Sequence, residues 1–216
     1  GTVTWAGTGD RLTLTQAGNT FNVAHAFAGN GYLEVLGTGS DQSFSFAKEW
    51  DGFSGTMEID NGLHMTVGGT AGANNAHNLA NADFILSGDS TLTVASGGSA
   101  VDTFKNLSIQ SGTIVFEGTL GFGADTNELA QLVVNSLTAG TGSVLNVALP
   151  SAGSSDMAGS LNQSNLLETS GLNPFQTLIV TNGLSGFDNL QLSGGNSGSD
   201  LRQNIVDGKG LTVATG

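Results

Sequence analysis

Short segments of alternating apolar and polar residues recur along the chain, and Gly, Asn, Asp or Ser residues end most of them. Alternation with a period of two places apolar side chains on one face of a β-strand and polar side chains on the other. Many of these segments contain Val, Ile and Thr, which favour strands. The pattern predicts strands at residues 11–15, 32–36, 43–46, 56–59, 63–67, 90–94, 106–109, 113–116, 132–134, 144–147, 177–180, 189–192 and 211–213.

Strands this short fit a solenoid better than a two-sheet sandwich. Pairs of strands joined by a tight corner occur at residues 56–67 and again at 106–116, with Gly62 and Gly112 in equivalent corner positions. Glycine suits such a corner because it adopts positive φ without steric cost. At roughly 20–25 residues per coil, the chain would form roughly nine to ten rungs of an all-β, parallel β-helix.

Stacked coils bury the same face of every strand. Leu, Ile, Val, Phe and Met side chains would then stack inside the solenoid, while Thr, Ser and Asn would face outward. We therefore expect Leu107, Ile109, Ile114 and Phe116 to point into the core.

Two stretches interrupt the strand pattern. Residues 68–82 are small and polar, which predicts a loop between coils. Residues 150–174 contain many Ser and Gly residues and four Leu residues, and we expect an excursion that lays a short helix or a strap over the solenoid. No shift in composition marks a domain boundary, so we predict a single domain over residues 1–216.

The composition supports a folded all-β protein. The 216 residues include 34 Gly, 22 Ser, 23 Thr and 19 Asn, yet 38% are hydrophobic and the mean hydropathy is +0.06. That apolar content suffices for a long core and argues against disorder. With 0 Cys, stability would come from repetition and packing and not from disulfides.

The charge balance restricts the partners. Lys and Arg number 5 against 18 Asp and Glu, for a net charge of −13. So acidic a surface repels phosphate backbones and anionic membranes, which argues against nucleic-acid binding. No stretch approaches the roughly 18 apolar residues of a membrane span. The chain opens at Gly1 without a Met or a basic leader, so we expect a piece of a larger protein.

Candidate nucleophiles and metal ligands are few. The segment Gly88-Asp89-Ser90 is similar to a serine-protease motif, but Ser90 begins a predicted strand and not a loop beside an oxyanion hole. The histidines are His25, His64 and His77, without the spacing of a zinc site. By alternation, His64 should face outward. We expect surface histidines and no role for Ser90 in catalysis.

Carboxylates offer a stronger alternative, because parallel β-helices also host polysaccharide-cleaving enzymes. Glu49 and Asp51 flank Trp50, and Glu58 and Asp60 share one face of a predicted strand. Two acids on one face could act as acid and base on a sugar, or hold a cation. A lyase also needs Lys or Arg beside its acids, and only Lys48 is near in sequence. We therefore expect a solvated acidic face.

Neither an aromatic platform nor a calcium loop is favoured. Trp50 and Phe53 could stack on a sugar, but Phe53 occupies a position typical of the core. Asp10, Asp41 and Asp207 stand alone, whereas a calcium loop needs clustered carboxylates. We predict no catalytic residue, no cofactor site, no metal site and no enzymatic activity.

Residues 51–67 contain, in order, an aromatic residue, Gly-Thr, a strand, a corner Gly and Leu-x-hydrophobic. This repeat is similar to that of the passenger domains of bacterial autotransporters, in particular pertactin-like and AIDA-like adhesins. Residues 84–94 and 107–118 fit it too, and residues 132–147 resemble the pertactin-like region near the end of a passenger.

This resemblance implies a right-handed parallel β-helix that passes through the periplasm and is displayed on the bacterial surface by a C-terminal outer-membrane barrel absent from this chain. It also implies an autochaperone-like region at about residues 130–216, with an insertion at 150–174.

The expected function is adhesion, cell–cell aggregation or biofilm formation through the extended β-helix faces. Expected partners are a second copy of the chain or a host-surface protein or glycan. Two alternatives remain open: a β-helical carbohydrate-active enzyme such as a lyase or tailspike-like glycosidase, and a non-binding stalk for a module N-terminal to Gly1.

Overall fold

The computed structural model describes residues 1–15, 20–38, 42–46, 50, 52–68, 78–95, 102–116, 132–147, 167–168 and 178–193. Almost all of the regular structure in these residues is β-strand, apart from one short 3₁₀ turn at Phe187–Asn189. The strands are β1 (Thr2–Thr4), β2 (Arg11–Thr15), β3 (Thr20–Val23), β4 (Ala26–Ala28), β5 (Tyr32–Leu36), β6 (Gln42–Phe46), β7 (Thr56–Asp60), β8 (Leu63–Gly68), β9 (Asn78–Leu86), β10 (Ser90–Ala95), β11 (Asp102–Ile109), β12 (Gly112–Phe116), β13 (Leu132–Ala139), β14 (Ser143–Val147), β15 (Leu167–Glu168), β16 (Leu178–Ser185) and β17 (Gln191–Ser193).

The strands form a parallel β-solenoid, which confirms the predicted fold class. One sheet has eight strands in the order β15-β16-β13-β11-β9-β7-β5-β2, and the other has seven in the order β17-β14-β12-β10-β8-β6-β3. Each coil gives one strand to each sheet and then returns, so every strand pair is parallel. Near the N-terminal end, β1 pairs with β4 and forms a third side.

Buried side chains stack from coil to coil along fixed positions of the register. Leu107, Ile109, Ile114 and Phe116 are all at most 2% exposed, which confirms their predicted inward orientation. Because strands in register repeat the same pleat, apolar residues form continuous columns through the core. One column in the eight-stranded sheet contains Leu33, Met57, Phe84, Leu107, Leu137 and Leu184.

The corner between β7 and β8 has the geometry that the sequence predicted. Gly62 has a φ of 74° and follows Asn61, whose φ is 61°. The Asn61 side chain donates from Nδ2 to the Gly37 carbonyl oxygen at 2.6 Å, so this corner is bonded to the preceding coil. Gly112 also has positive φ, at 148°.

Four aromatic side chains fill the N-terminal part of the core, where the third side closes the coil. Trp5 packs against Phe27 and Phe53, with ring centroids 5.2 and 5.3 Å apart. Trp50 meets Phe27 edge-on at 4.4 Å. Such edge-to-face contacts add to the energy of burial.

The structure corrects one prediction and extends others. Residues 78–82 belong to β9, so the predicted loop at 68–82 is wrong in its last part, and Gly68 belongs to β8. Within 150–174, only Leu167–Glu168 is described, and it forms a strand that pairs with β16. The strand predicted at 211–213 lies outside the described residues. Within them, the sheets hold seven and eight strands, against roughly nine to ten expected rungs.

Candidate functional site

The outer face of the eight-stranded sheet begins with an ionic cluster on β2 and β5. Arg11 donates from Nη2 to Oε1 of Glu34 at 2.6 Å, and Thr13 donates from Oγ1 to Oε2 of the same carboxylate at 2.8 Å. The Arg11 guanidinium also lies 4.4 Å from the centre of the Tyr32 ring. Both Glu34 oxygens therefore accept a hydrogen bond from the preceding coil.

A second carboxylate continues this cluster on the next coil. The Tyr32 hydroxyl donates to Oε2 of Glu58, and the Ser87 hydroxyl donates to Oε1 at 2.7 Å. Burial raises the pKa of Tyr32, and the hydrogen bond to Glu58 raises it further. The phenol therefore stays protonated and keeps donating far above neutral pH.

Farther along the same face, carboxylate, amide and hydroxyl groups link the coils of β9, β11, β13 and β16. Asn106 donates from Nδ2 to Oδ1 of Asp83 at 2.8 Å and accepts at Oδ1 from the Ser136 hydroxyl at 2.6 Å. Ser185 donates to Oγ1 of Thr138 at 3.1 Å. The polar groups of this face thus bond largely to one another.

The outer face of the seven-stranded sheet is different, and we call its described outward side chains the neutral face. Four threonine hydroxyls on this face make no hydrogen bond within the described part of the molecule: those of Thr66, Thr91, Thr93 and Thr113. They occupy adjoining register positions, so their spacing is about 4.8 Å between strands and about 7 Å along a strand. The neutral face consists of Ser43, His64, Thr66, Thr91, Thr93, Thr113, Val115, Val144 and Gln191.

Charged residues are distributed unequally between the two sheets. The strands of the seven-stranded sheet, as the structure describes them, contain no Asp, Glu, Lys or Arg. The strands of the eight-stranded sheet contain Arg11, Glu34, Glu58, Asp60, Asp83, Asp102, Lys105 and Glu168. Although the chain has a net charge of −13, the strands of one sheet, as far as the structure describes them, are free of charge.

Ser90 is a buried residue that stabilises the backbone. It starts β10, as the alternation predicted, and it is 0% exposed. Its Oγ accepts a hydrogen bond from the backbone N–H of Leu63 at 3.1 Å. Ser143 occupies a comparable place on β14, where it donates to the Ile109 and Gly140 carbonyl oxygens. These buried serines satisfy backbone groups at the corners.

The other candidates are dispersed. His64 and His25 are exposed, as expected for His64 from its place on β8. Asp60 accepts at Oδ1 from the Asn61 N–H at 2.6 Å and so stabilises the corner. Glu58 accepts instead from the Tyr32 hydroxyl. Asp10 likewise accepts the Gly7 N–H at 3.0 Å. Lys48, Glu49, Asp51, His77, Asp41 and Asp207 lie outside the described residues.

The aromatic pair Trp50 and Phe53 is part of the core, which confirms the core position expected for Phe53. Trp50 is 2% exposed and Phe53 is 0% exposed, and their rings meet edge-on at 5.9 Å. Neither ring is therefore available to stack on a sugar.

The described residues contain no group of three or more His, Cys, Asp or Glu placed to hold a metal ion. They also contain no helix long and apolar enough to cross a membrane.

No local sequence pattern indicates the cluster of Arg11, Tyr32, Glu34 and Glu58. Lys48 was the nearest basic residue in sequence to the candidate acids, whereas Arg11 meets Glu34 from 23 residues away. Tyr32 meets Glu58 from 26 residues away. Only the in-register pairing of Tyr32 with Arg11 and of Glu34 with Glu58 would have revealed the cluster.

Comparison with known proteins leaves the fold and these two faces as the basis for any assignment. Scans against protein-family models, against curated proteins and against solved structures each found no match.

Proposed function

We propose that the chain is a non-catalytic adhesive segment of an autotransporter-like passenger, acting at the bacterial surface through its extended outer faces. Such a segment binds by many weak contacts spread along the coils and not by one pocket. It contributes to adhesion, to cell–cell aggregation or to biofilm formation.

The observation that carries this proposal is the repetition of polar side chains along both outer faces. On the eight-stranded sheet they extend from Arg11 on β2 to Ser185 on β16, and on the seven-stranded sheet from Ser43 on β6 to Gln191 on β17. Contacts of this kind are weak singly and become strong when many copies are displayed together. The resemblance of residues 51–67 and 132–147 to passenger repeats supports the same assignment.

The test uses the full chain attached to beads through its N-terminal amine. Binding to other coated beads, to host cells and to polysaccharide-coated surfaces would be measured. Replacing Thr66, Thr91, Thr93 and Thr113 with Ala removes one block, and replacing Asn106, Asn135, Ser136 and Thr138 with Ala removes another. At least one block should reduce binding strongly, whereas His64→Ala alone should change it by less than about twofold.

Two outcomes would contradict the proposal. Coated beads that bind none of these surfaces would favour the stalk interpretation. Loss of all binding after a single substitution on either face would point to a discrete site.

A second candidate function, cleavage of a polysaccharide, is favoured by one observation. Arg11 lies beside Glu34, and Glu58 follows on the next coil, so a cation accompanies two acids as lyase chemistry requires. Against it, both Glu34 oxygens and both Glu58 oxygens accept hydrogen bonds within the chain. Cleavage of any polysaccharide in a panel, abolished by Glu58→Gln and retained by Asp60→Asn, would establish this function instead.

A further inference from the structure

We infer that the neutral face is the contact surface and that its partner is the neutral face of a second copy of this chain. This inference rests on the proposed adhesive function and names the surface and the partner.

The first argument is electrostatic. Two chains that each carry −13 repel one another, and the repulsion is least where the approaching surfaces hold no charge. The strands of the seven-stranded sheet provide such a surface, whereas the opposite sheet presents Glu34, Glu58, Asp60 and Asp83. These acids outnumber Arg11 and Lys105 on the same sheet, so pairing through it would juxtapose like charges and disfavour association.

The second argument concerns hydrogen bonding. The hydroxyls of Thr66, Thr91, Thr93 and Thr113 make no bond within the described chain, so they are available to a partner. A hydroxyl both donates and accepts, so a row of hydroxyls is complementary to an identical row. By contrast, Asp83, Asn106 and Ser136 on the other sheet already bond to one another.

The third argument is geometric. Two copies have the same spacing between strands, so their rows stay in step along the whole face. Thr and Val are stiff at χ1, and little side-chain entropy is therefore lost when such a row is covered. Val115 and Val144 extend the Thr rows with apolar contact. Pairing about a two-fold axis places the same patch on both sides of the interface.

The size of the neutral face sets the strength of the contact. The nine residues of the neutral face lie on six strands, and at about 4.8 Å by 7 Å per residue they cover roughly 300 Å² per copy. A standard stable interface buries about 800 Å² per partner. One pair of chains should therefore associate weakly, and firm attachment should require many copies on each surface.

The experiment measures clumping of beads that carry the full chain, in low salt where charge repulsion is little screened. Thr91→Glu/Thr113→Glu adds two negative charges to the neutral face. The control, Asn81→Glu/Asn182→Glu, adds the same charge to exposed positions of the eight-stranded sheet. Circular dichroism and thermal unfolding would verify that both variants are folded.

We expect the neutral-face variant to clump at least about tenfold more slowly than the unmodified chain, because like charges would face each other across the interface. The control should clump within about twofold of the unmodified rate, since its charges lie away from the contact. The uncharged variant Thr91→Val/Thr113→Val, which keeps the shape and removes the hydroxyls, should also slow clumping.

Three results would overturn the inference. Equal loss in the neutral-face and control variants would mean that net charge alone governs clumping. Unchanged clumping in Thr91→Glu/Thr113→Glu would place the contact elsewhere. Beads that bind host cells or polysaccharide but never one another would retain the proposed adhesive function and exclude a second copy as its partner.

Discussion

Phe84 on β9 and Phe104 on β11 stack face to face, with ring centroids 4.7 Å apart and ring planes inclined by 6°. They are not register partners: Phe84 pairs with Leu107, and Phe104 pairs with Leu79. The register shifts between Phe104 and Asn106, and this irregularity accompanies the contact between the two rings. Both side chains are 1% exposed, so the stack lies in the core between consecutive coils.

Removing one ring should destabilise the middle of the solenoid. Phe104→Ala would lower the free energy of unfolding by about 3–5 kcal/mol, through lost burial and the cavity left beside Phe84. Ser108→Ala, on the outward side of the same strand, should change it by less than about 0.5 kcal/mol. Denaturant unfolding of both variants provides the measurement. Equal stability of the two would mean that the inward face of β11 is wrongly assigned.

Close approach of successive coils makes Gly55 intolerant of a side chain. A Cβ at Gly55 would lie 1.9 Å from the carbonyl oxygen of Gly31 on the preceding coil. Gly55→Ala should therefore reduce the free energy of unfolding by about 1–3 kcal/mol or more, because backbone must move. At Gly9 an added Cβ would meet nothing within 4 Å, so Gly9→Ala is the matched control. A well-tolerated Gly55→Ala would contradict the packing of these coils.

The hydroxyl of Tyr32 provides a direct reporter, because the chain contains 1 Tyr. Phenolate absorbance in the folded protein should titrate well above the usual pKa of about 10. Glu58→Gln should lower the midpoint by removing the adjacent carboxylate, but burial should still keep it raised. Arg11→Gln should move it upward, since the guanidinium favours the phenolate. A midpoint near 10 in the unmodified protein would refute the partly buried hydrogen bond between Tyr32 and Glu58.

The raised pKa of Tyr32 also predicts that the free energy of unfolding decreases in alkali. A tyrosine with a raised pKa in the folded state is deprotonated first in the unfolded state, so its contribution is complete below about pH 10. This contribution is lost as pH rises from about 10 toward the folded-state pKa. Tyr32→Phe, which cannot ionise, should show a smaller decrease over that range.

Ser90 should matter for stability and not for adhesion. Ser90→Ala leaves the buried N–H of Leu63 without its acceptor, which should cost about 1–3 kcal/mol of unfolding free energy. Thr91→Ser, on the outward position beside it, serves as the control. Below the unfolding temperature, bead clumping by Ser90→Ala should equal that of the unmodified chain. Abolished clumping in a folded Ser90→Ala protein would show that this serine acts in function.

Many of the strands could be predicted from local sequence. Alternation of apolar and polar residues with a period of two identifies a strand that has one face buried. The segments at β2, β5, β12 and β14 were found in this way. The strands β3 and β4 were not predicted, since Ala and Asn in residues 20–28 are poor strand formers and only pairing with neighbouring coils places them.

The sequence does not show which residues of successive coils are register partners. Arg11 pairs with Tyr32 after 21 residues, whereas Val134 pairs with Val180 after 46. Because coil length varies so widely, no fixed period shows which side chains meet. The cluster of Arg11, Tyr32, Glu34 and Glu58 and the neutral face both depend on this register. Neither could therefore be predicted from the sequence.

Face-specific crosslinking tests the central claim most directly. Because the chain has 0 Cys, each introduced thiol is unique. Thr66→Cys, Thr93→Cys and Thr113→Cys place thiols on the neutral face, and Ser108→Cys, Asn135→Cys and Thr138→Cys place them on the opposite sheet. Clumped beads carrying each variant would be treated with a short bismaleimide, and covalent dimers would be quantified after denaturation. We predict dimers mainly from the first set. Equal yields, or higher yields from the second set, would contradict pairing through the neutral face.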